Sequence, residues 1–452
     1  MPVTVGIDLS TTAAKAVVVR ADGRRLAFAS CPYPTDFLPG GRVEQDARQW
    51  WSATAAAVRA AVARSGAERR VAAICAATQG ISIVPVDARG APLRASINWL
   101  DARASEEAES LDRDWRGGRL PETTGRRTHP ANSLPKIMWL RRHEPGVFSA
   151  ARGWLTPGAY LARCMTGVPV SDHTLAAGTL AYSVPSLSWS GELLAMAGLA
   201  PDQMPELAWA GTTIGALTGE AAEALGIPAG IPVVLGGQDQ KCAAWYAGLA
   251  PGAITVSLGT ASAISGLVGQ MPADPEFPVP VSPYLFPGSF VLEAVTPAAG
   301  ASIEWLARIL SAGSGKTFRA ADAARIAGQA PPGANGVRFS PHLAGTGTPD
   351  WDAAATGGFT GIRLGTSAAD LARAVLEGVA DDIAGNVALL RDLGVAVDGI
   401  HCFGGGARSG LWISLIEAAC RRTVSVSVEP ETAALGAAQL ALGAVTGAVT
   451  GR

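Results

Sequence analysis

The sequence predicts an α/β protein made of two related halves, and three observations support this fold class. First, a strand–turn–strand pattern occurs twice, at residues 3–19 (VTVGIDLSTTAAKAVVV) and from Ala253 to Val268 (AITVSLGTASAISGLV). Second, segments with helical spacing of apolar residues lie between these patterns. Third, a length of 452 residues suggests two or three domains. A motif repeated roughly 250 residues apart favours two α/β halves over one large domain.

The composition excludes several classes of function. Apolar residues make up 48% and charged residues 16% of the chain, so a large core can be buried and global disorder is not expected. The formal net charge is −2 and the chain has no basic run. We therefore expect neither a nucleic-acid partner nor binding to an acidic membrane surface.

Cysteine usage and the two end segments predict a cytoplasmic protein. The six cysteines are scattered, without a C-x-x-C pair or a zinc-like arrangement with the five histidines, which is typical of reduced thiols. The N-terminal MPVTVGIDLS has a strand pattern rather than that of a signal peptide. The uncharged segment from Thr432 to Gly451 fits either a membrane helix or a packed helix, and its Ala and Gly content favours the packed helix.

Helical periodicity and capping residues place four helices between the strands. They are predicted from Asp46 to about Ala63, Leu134 to His143, Ser302 to Leu310 and Ala368 to Leu390. The first half should end near residues 237–248, which divides the chain into domains at 1–243 and 244–452. This division puts Asp239 at the domain boundary, and clefts between domains are where small-molecule sites concentrate.

The first hairpin, GIDLSTTAAK, carries a carboxylate next to a hydroxyl-rich turn. Asp8 ends an apolar strand and is followed by Ser10, Thr11 and Thr12. Turn N–H groups and hydroxyls can hold phosphate, and a nearby carboxylate can hold Mg²⁺ or its waters. An ordinary hairpin in which Asp8 only favours the turn fits the residues equally well.

Two further Gly-rich turns are candidates for nucleotide binding. SLGTAS, from Ser257 to Ser262, gives a second hydroxyl and Gly turn. CFGGGARSG, from Cys402 to Gly410, lies between a predicted strand and a predicted helix, a layout that brings backbone close to a nucleotide. Each is also compatible with a merely tight connection. GSGKT at residues 313–317 is not a P-loop, because Leu310 stands where that motif requires Gly and the preceding segment is helical.

The stretch GGQDQ places Asp239 where the apolar run IPVVL ends. A kinase that acts on an alcohol needs a base for the hydroxyl proton, and Asp239 is well placed for that role. Gln240 could bond neighbouring substrate hydroxyls. A helix N-cap is the alternative interpretation of Asp239, since Asp is a preferred capping residue.

Taken together, these segments resemble the FGGY carbohydrate kinases, and most closely their xylulokinase members. The similarity runs over essentially the whole chain, with the matching segments in family order: GIDLSTT, VEQDARQWW, INWLDAR, LPKIMWLRRHEP, SDHTLAAGT, GGQDQ, SLGTAS, AAGASIEWL, GGFTGIRLGTSAADLARAVLEGVADDI, CFGGGARSGLW and ALGAAQLAL. The resemblance implies two actin-like (ribonuclease H-like) ATPase domains with ATP and Mg²⁺ in the cleft between them.

The resemblance also implies roles for individual residues. Asp239 corresponds to the catalytic base and Asp8 to the carboxylate that organises Mg²⁺ and phosphate, so both are candidate catalytic and metal-binding residues. The implied nucleotide contacts are Thr11, Thr12, Lys15, Gly259, Thr260, Gly300, Glu304, Gly405, Gly406 and Ala407. The implied sugar-side residues are Gln79, Gly80, Ile81, Trp99, Asp101, Arg103, Asn132 and Gln240.

Departures from the family pattern fall mainly on the substrate side. Xylulokinases carry Gln-Met-His-Gly where this chain has Gln79-Gly80-Ile81-Ser82, so an aliphatic side chain replaces an imidazole. Loss of a polar contact to a substrate hydroxyl changes discrimination strongly. The Asp239-Gln240 pair is similar to that of glycerol kinases. A shorter C-terminus than that of relatives is expected to loosen the second domain.

The resemblance therefore implies an ATP-dependent sugar kinase that is xylulokinase-like and converts D-xylulose to D-xylulose 5-phosphate. Two alternatives stay open: a kinase for another ketopentose or polyol (L-xylulose, ribulose, erythritol or glycerol), and a non-catalytic actin-like ATPase or sensor. The expected partner is a small sugar or polyol, and the resemblance admits a homodimer.

Overall fold

The computed structural model describes residues 1–115, 119–272, 278–314 and 317–447. Within these residues the chain forms two six-stranded sheets, several two- and three-stranded ribbons, and helices on the faces of both large sheets.

The chain up to residue 238 builds the first large sheet together with its helices and several small ribbons. The strands are β1 (Val3–Leu9), β2 (Ala13–Arg20), β3 (Arg25–Pro32), β4 (Asp36–Leu38), β5 (Arg42–Gln45), β6 (Val71–Thr78), β7 (Val84–Val86), β8 (Ser96–Ile97), β9 (Gly153–Leu155), β10 (Val170–Asp172), β11 (Tyr182–Ser183), β12 (Ser188–Trp189), β13 (Glu206–Ala208), β14 (Thr213–Ala216) and β15 (Pro232–Gln238). The helices are α1 (Ala47–Ser65), α2 (Ser105–Asp114), α3 (Leu120–Thr124), α4 (Ser133–His143), α5 (Pro145–Ala150), α6 (Pro157–Thr166), α7 (His173–Gly178), α8 (Gly191–Ala197) and α9 (Gly219–Leu225).

The remaining elements comprise the second large sheet, a separate two-stranded ribbon and the rest of the helices. The strands are β16 (Ala253–Ser257), β17 (Ser262–Val268), β18 (Val281–Pro283), β19 (Phe290–Thr296), β20 (Arg338–Ser340), β21 (Gly358–Thr360), β22 (Gly399–Phe403) and β23 (Val424–Ser427). The helices are α10 (Asp239–Ala247), α11 (Gly300–Ser314), α12 (Ala320–Ala327), α13 (Ala368–Asp392), α14 (Gly410–Cys420) and α15 (Thr432–Thr446).

The two large sheets share a central topology. In the first, the order is β14-β15-β6-β1-β2-β3, with β1, β2 and β3 antiparallel and with β6 and β15 parallel to β1. In the second, the order is β18-β19-β17-β16-β22-β23, with β16, β17 and β19 antiparallel and with β22 and β23 parallel to β16. The prediction of two related α/β halves, each opening with a hairpin, is therefore confirmed.

The last helix, α15, packs against the first sheet rather than the second. Thr4 on β1 donates its hydroxyl to the Ala438 carbonyl over 3.0 Å. A Cβ on Gly6 would lie 2.0 Å from the Ala434 carbonyl oxygen, so only Gly allows this close approach. The packed-helix interpretation of this uncharged segment is confirmed for Thr432–Thr446, while residues 448–451 lie outside the described residues.

One apolar cluster joins the two sheets. Cys75 and Val234 of the first sheet pack in the same cluster as Val291 of the second sheet and as Tyr284 and Leu285, which follow β18. Helices α10 and α15 contribute further residues to this cluster. The predicted division after residue 243 falls inside α10, a helix that packs in the cluster between the two halves. This division stays a prediction.

The predicted helices are present, with small shifts at their ends. α1 begins after Asp46, whose carboxylate accepts from the Arg48 N–H over 2.9 Å, as a helix cap should. The helical segment before the rejected GSGKT motif is α11, although Gly315 and Lys316 lie outside the described residues. The six cysteines are free. Among the described residues, no helix combines the length and the apolar character that crossing a membrane requires.

Candidate active site

The carboxyl ends of three neighbouring strands bring the candidate residues of the first half together. Leu9 at the end of β1 pairs with Thr78 of β6, and Thr78 pairs with Gln238 of β15. The residues that follow these parallel strands therefore share one edge of the sheet, where α/β proteins commonly bind ligands. This register places Asp8, Gln79 and Asp239 around one point.

Asp8 and Lys15 face each other across the first hairpin. They are paired positions of β1 and β2, and the Lys15 ammonium lies 3.5 Å from Asp8 Oδ2 and 3.1 Å from Glu431 Oε2. Asp8 is 5% exposed, and its Oδ1 is buried without a hydrogen-bond partner among the described residues. The hairpin thus holds one anchored carboxylate oxygen and one that is free to accept a ligand.

Asp239 is the first residue of α10, and the residue before it occupies the cap position. Gln238 has the extended backbone of an N-cap, and its side chain does not cap the helix. Within the described part of the chain, the Asp239 carboxylate accepts only from the next backbone N–H, that of Gln240, over 2.7 Å. The N-cap interpretation of Asp239 is therefore wrong by one position, which leaves most of this carboxylate available for another role.

Burial raises the pKa values of both carboxyl groups, and a nearby carboxylate adds to it in each case, Glu431 for Asp8 and Asp8 for Asp239. The pKa of Asp239 is raised to about 7, first by burial and then by the charge of Asp8. Burial likewise raises the pKa of Asp8 to about 6, against the opposing effect of Lys15. The pKa of the Tyr33 phenol is also raised, by burial and by the charges of Asp8 and Asp239. A carboxylate with a pKa near 7 is matched to proton abstraction at neutral pH.

A strained turn at residues 80–82 borders the site, and we call it the acceptor turn because the family resemblance implies that the sugar binds here. The Ser82 N–H donates to the Gly80 carbonyl over 2.8 Å, which closes a three-residue γ-turn around Ile81 at φ +53°. Positive φ is rare for a β-branched residue, and such strain clusters at functional sites. Ser133 donates to the Ile81 carbonyl over 3.0 Å and holds the turn.

An amide network connects this turn with the first hairpin. The side-chain oxygen of Gln45, Oε1, accepts from the side-chain amide of Gln79 over 2.9 Å and from that of Asn98 over 3.0 Å. The side-chain nitrogen of Gln45, Nε2, donates to the backbone carbonyl of Thr11 over 2.7 Å. The Trp99 indole donates to the Thr11 hydroxyl over 2.9 Å, while the residue is 38% exposed. These bonds bring Gln79, Trp99 and Thr11 into one network, and Thr12 lies exposed at the same turn. The assigned contacts of these residues with sugar or nucleotide stay predictions.

Other predicted sugar-side residues have structural partners of their own. Asp101 is fully buried and accepts from the Val43 N–H over 2.5 Å and from Arg103 over 2.7 Å. The Asn132 amide donates to the Gly178 carbonyl over 2.8 Å and accepts from the His129 N–H over 2.9 Å. These contacts fix the loops around the site, and direct sugar contact by these residues stays a prediction.

Gln238 lies where the sequence placed Gln240. A Cβ on Gly80 would meet the Gln238 amide nitrogen at 3.3 Å, so Gln238 borders the acceptor turn. Gln240 is exposed at the start of α10. Gln238 ends strand β15 beside Thr78, whereas Gln240 lies in the first turn of helix α10, and the sequence alone could not assign this boundary.

The second half contributes a cavity of about 670 Å³. Six predicted nucleotide residues line it: Gly259, Thr260, Gly300, Glu304, Gly405 and Gly406. Ala407 is buried beside this cavity and is absent from its described lining. A helix N-terminus and Gly-rich turns around one cavity are typical of phosphate and nucleotide sites.

Close backbone packing explains the glycines of this cavity. The Gly300 N–H donates to the Gly259 carbonyl over 2.9 Å, and a Cβ on Gly300 would lie 2.4 Å from that oxygen. Gly404, in the turn before α14, adopts φ +93°, a backbone conformation that glycine takes without steric cost. Ser409 caps α14 by accepting from the Trp412 N–H over 3.3 Å.

A buried charge cluster between the halves was not predicted. Lys241 of α10 forms an ion pair with Glu293 of β19. Burial alone would raise the pKa of Glu293, but Lys241 and then Arg126 hold it below its ordinary value. Arg126 Nε is buried and has no hydrogen-bond partner among the described residues. The contacts of Gln45, Glu431 and Glu293 are long-range, so no local sequence signal reveals them.

Comparisons with known proteins agree with this geometry. The model of the FGGY family of carbohydrate kinases, N-terminal domain, matches residues 3–245, and that of the C-terminal domain matches residues 254–445. The chain is 32% identical over 448 residues to xylulose kinase of Escherichia coli (strain K12), covering 97% of this chain and 89% of that protein. It is 29% identical over 442 residues to xylulose kinase of Staphylococcus xylosus, covering 98% of this chain and 90% of that protein.

Solved structures give the same result. Xylulose kinase from Rhodospirillum rubrum matches with a TM-score of 0.90 at 30% identity, covering 98% of this chain and 89% of that one. Gluconate kinase from Lactobacillus acidophilus matches with a TM-score of 0.90 at 26% identity, covering 98% of this chain and 89% of that one. The chain belongs to the FGGY family of carbohydrate kinases and has their actin-like α/β fold of two related halves.

Proposed function

We propose that this kinase transfers the γ-phosphoryl group of ATP to a hydroxyl of D-xylulose, giving D-xylulose 5-phosphate. The observation that carries the proposal is Asp239, a carboxylate without a capping role at the edge where β1, β6 and β15 end, beside Asp8 and the acceptor turn. The pKa of Asp239 is raised to about 7 by burial and by Asp8. Similarity to xylulose kinases over nearly the whole chain supports this acceptor.

Asp239 acts as the general base in the proposed reaction. Its carboxylate takes the proton of the acceptor hydroxyl as that oxygen forms a bond to the γ-phosphorus. The bond between the γ-phosphorus and the bridging oxygen breaks, and ADP leaves with that electron pair. Gln79, Gly80 and Ile81 border the acceptor, and Gln238 offers an amide beside them. Exclusion of water from the cleft favours transfer over ATP hydrolysis.

The nucleotide is proposed to occupy the cavity of about 670 Å³ in the second half. Its phosphates would reach the first hairpin, where Lys15 supplies positive charge and Thr11 and Thr12 supply hydroxyls. Gly259 and Thr260 would provide backbone and hydroxyl contacts from the facing hairpin. Because both hairpins end at the cleft, one triphosphate can contact both halves.

The first hairpin also fits a magnesium ion. Asp8 Oδ1 is a buried carboxylate oxygen without a partner among the described residues, which is the type of donor that Mg²⁺ prefers. Asp8, with Asp239 nearby, would hold the ion or its waters. When bound, Mg²⁺ neutralises negative charge on the phosphates.

A different acceptor is favoured by one specific observation, the Gly80-Ile81 turn. Ile81 offers no polar side-chain atom, so this part of the pocket cannot bond a sugar hydroxyl as an imidazole would. Another ketopentose or polyol, such as L-xylulose, ribulose, erythritol or glycerol, is therefore the second candidate acceptor. A coupled ADP-release screen of ketopentoses, tetritols, glycerol and hexose acids tests both, and we expect the highest kcat/KM for D-xylulose.

ATP turnover that ignores every acceptor would instead favour a partner-driven actin-like ATPase, and the absence of ATP turnover would favour a non-catalytic sensor. Sugar-dependent turnover rejects both alternatives, because a switch has no need of a hydroxyl base. We further propose a cytoplasmic location and a homodimer as the assembly to test by light scattering.

A further inference from the structure

A buried ion pair joins the start of α10 to the second sheet. Lys241 lies two residues after Asp239, and its ammonium bonds Glu293 in the middle of β19. The Lys241 side chain is 4% exposed and that of Glu293 is 23% exposed. The pair therefore crosses between the half that carries Asp239 and the half that carries the nucleotide cavity.

Both partners have further polar neighbours, two from the second half and one from the first. Ser265 on β17 donates to Glu293 Oε2 over 3.4 Å. The Tyr284 hydroxyl donates to the Lys241 carbonyl over 3.4 Å. Arg126, from the loop after α3, adds a second cation near Glu293. The first turn of α10 is thus fixed by a side-chain bond and a backbone bond to the second half.

The connection continues to the nucleotide cavity along one stretch of chain. β19 ends at Thr296, and α11 begins at Gly300, which lines that cavity. A covalent path of a few residues therefore leads from Glu293 to the nucleotide side. The Lys241–Glu293 bond completes the path to Asp239.

Buried ion pairs are seldom a source of net stability, because desolvation offsets the attraction of the charges. Their best-supported contribution is to fix one arrangement of the elements they join. A reaction that needs a base close to an attacking oxygen depends on the relative position of the elements that carry the two groups. A 1 Å misplacement of the base can reduce the rate about 10²-fold.

We propose that Lys241 and Glu293 are positioning residues that set the Asp239 carboxylate relative to the bound nucleotide. The inference rests on the proposed kinase function. Neither residue is assigned a contact with the sugar or with ATP. Their effect is exerted through the first turn of α10 on one side and through β19 on the other.

The test is the Glu293→Asp variant, which keeps the charge but withdraws the carboxylate by one methylene. We expect kcat with D-xylulose to fall about 10- to 100-fold while the Kd for ATP, measured by calorimetry, changes less than about threefold. The matched control is Glu377→Asp in the Arg373–Glu377 pair of α13, whose side chains are 10% and 21% exposed. This control should lose a similar amount of thermal stability and keep its kcat.

A second variant covers a failure of the first to fold. Lys241→Met with Glu293→Leu removes both charges together, a replacement that buried pairs often tolerate. We expect a cooperative melt with a similarly reduced kcat. A parent-like kcat in either folded variant overturns the inference. A fall in kcat that is explained by an equally large rise in the Kd for ATP overturns it too. A parent enzyme without sugar-dependent turnover overturns the proposed function as well, whereas an active parent with unaffected variants overturns only the positioning role.

Discussion

The two halves of the molecule share one sheet topology but present different chemistry at their first hairpins. The hairpin of β1 and β2 carries Asp8 and Lys15 as paired positions, within reach of Glu431. The hairpin of β16 and β17 carries Gly259 and Thr260 at its turn and no charged side chain. One fold unit therefore supplies charge in the first half and close backbone approach in the second.

This difference separates two functions that a kinase needs. In the proposed function, charged groups of the first half act on the reacting atoms, and glycine turns of the second half accommodate the nucleotide. Substitution of the charged groups at the site in the first half should therefore lower kcat, and substitution of the glycines that line the cavity in the second half should weaken ATP binding.

The largest expected effect comes from Asp239→Asn. The amide keeps the shape of the side chain but cannot take the hydroxyl proton, so kcat should fall by roughly 10²–10⁴. The Kd for ATP should stay close to that of the parent, because the nucleotide cavity lies in the other half. Steady-state kinetics together with calorimetry measure the two quantities. Near-normal phosphorylation by this variant would reject Asp239 as the base.

The matching change in the second half is Gly300→Ala. The new Cβ would lie 2.4 Å from the Gly259 carbonyl oxygen, so α11 must shift at the nucleotide cavity. Overpacking of this kind costs about 1–3 kcal/mol of folding stability. We expect the shift of α11 to weaken ATP binding as well, and a loss of the same size in binding free energy would raise the KM for ATP about 5- to 150-fold. The control is Gly410→Ala at the first residue of α14, where a Cβ meets nothing within 4 Å. Equal effects of the two variants would contradict the packing argument.

The pH dependence of kcat/KM for the sugar tests the charge environment of the first half. Burial and the Asp8 charge raise the pKa of Asp239 to about 7. The ionised form is the base, so the rate should rise with pH and level off above about 7. Below that value it should fall about tenfold per pH unit. The residual activity of Asp239→Asn should lack this step, and a profile that is flat between about pH 5 and 8 would contradict the assignment.

The smallest expected effect is that of Trp99→Phe. The indole donates to the Thr11 hydroxyl over 2.9 Å, and Phe removes that bond while keeping an aromatic ring at the position. One hydrogen bond contributes about 0.5–1.5 kcal/mol, so kcat/KM should fall about 2- to 12-fold. Steady-state kinetics with each substrate varied in turn measure this change. Because Trp99 contacts Thr11, an implied nucleotide contact, we expect kcat/KM for ATP to fall more than kcat/KM for the sugar.

Local patterns in the sequence were enough to predict the hairpins and the main helices. β-branched runs around small polar turns predict β1–β2 and β16–β17, because each pair closes within a few residues. A local pattern also identified Asp239, because the apolar run of β15 ends just before it. The interpretation of Asp239 as the helix cap was wrong, because α10 begins one residue earlier than expected and Gln238 takes the cap position.

Long-range contacts were outside the reach of the sequence. Glu431 reaches Lys15 from the far end of the chain, and Gln45 connects three segments of the acceptor side. The Lys241–Glu293 pair depends on how two sheets pack. No periodicity or motif encodes such pairings, because they are set only when the two halves assemble.

Phosphorus NMR of the parent enzyme with ATP and D-xylulose tests the central claim most directly. We expect the γ-phosphoryl signal to be replaced by that of a sugar phosphate monoester in equal amount to ADP, and Asp239→Asn to form this product far more slowly. Release of inorganic phosphate in place of the monoester, or equal product from both proteins, would contradict the assignment of Asp239 as the base of a sugar kinase.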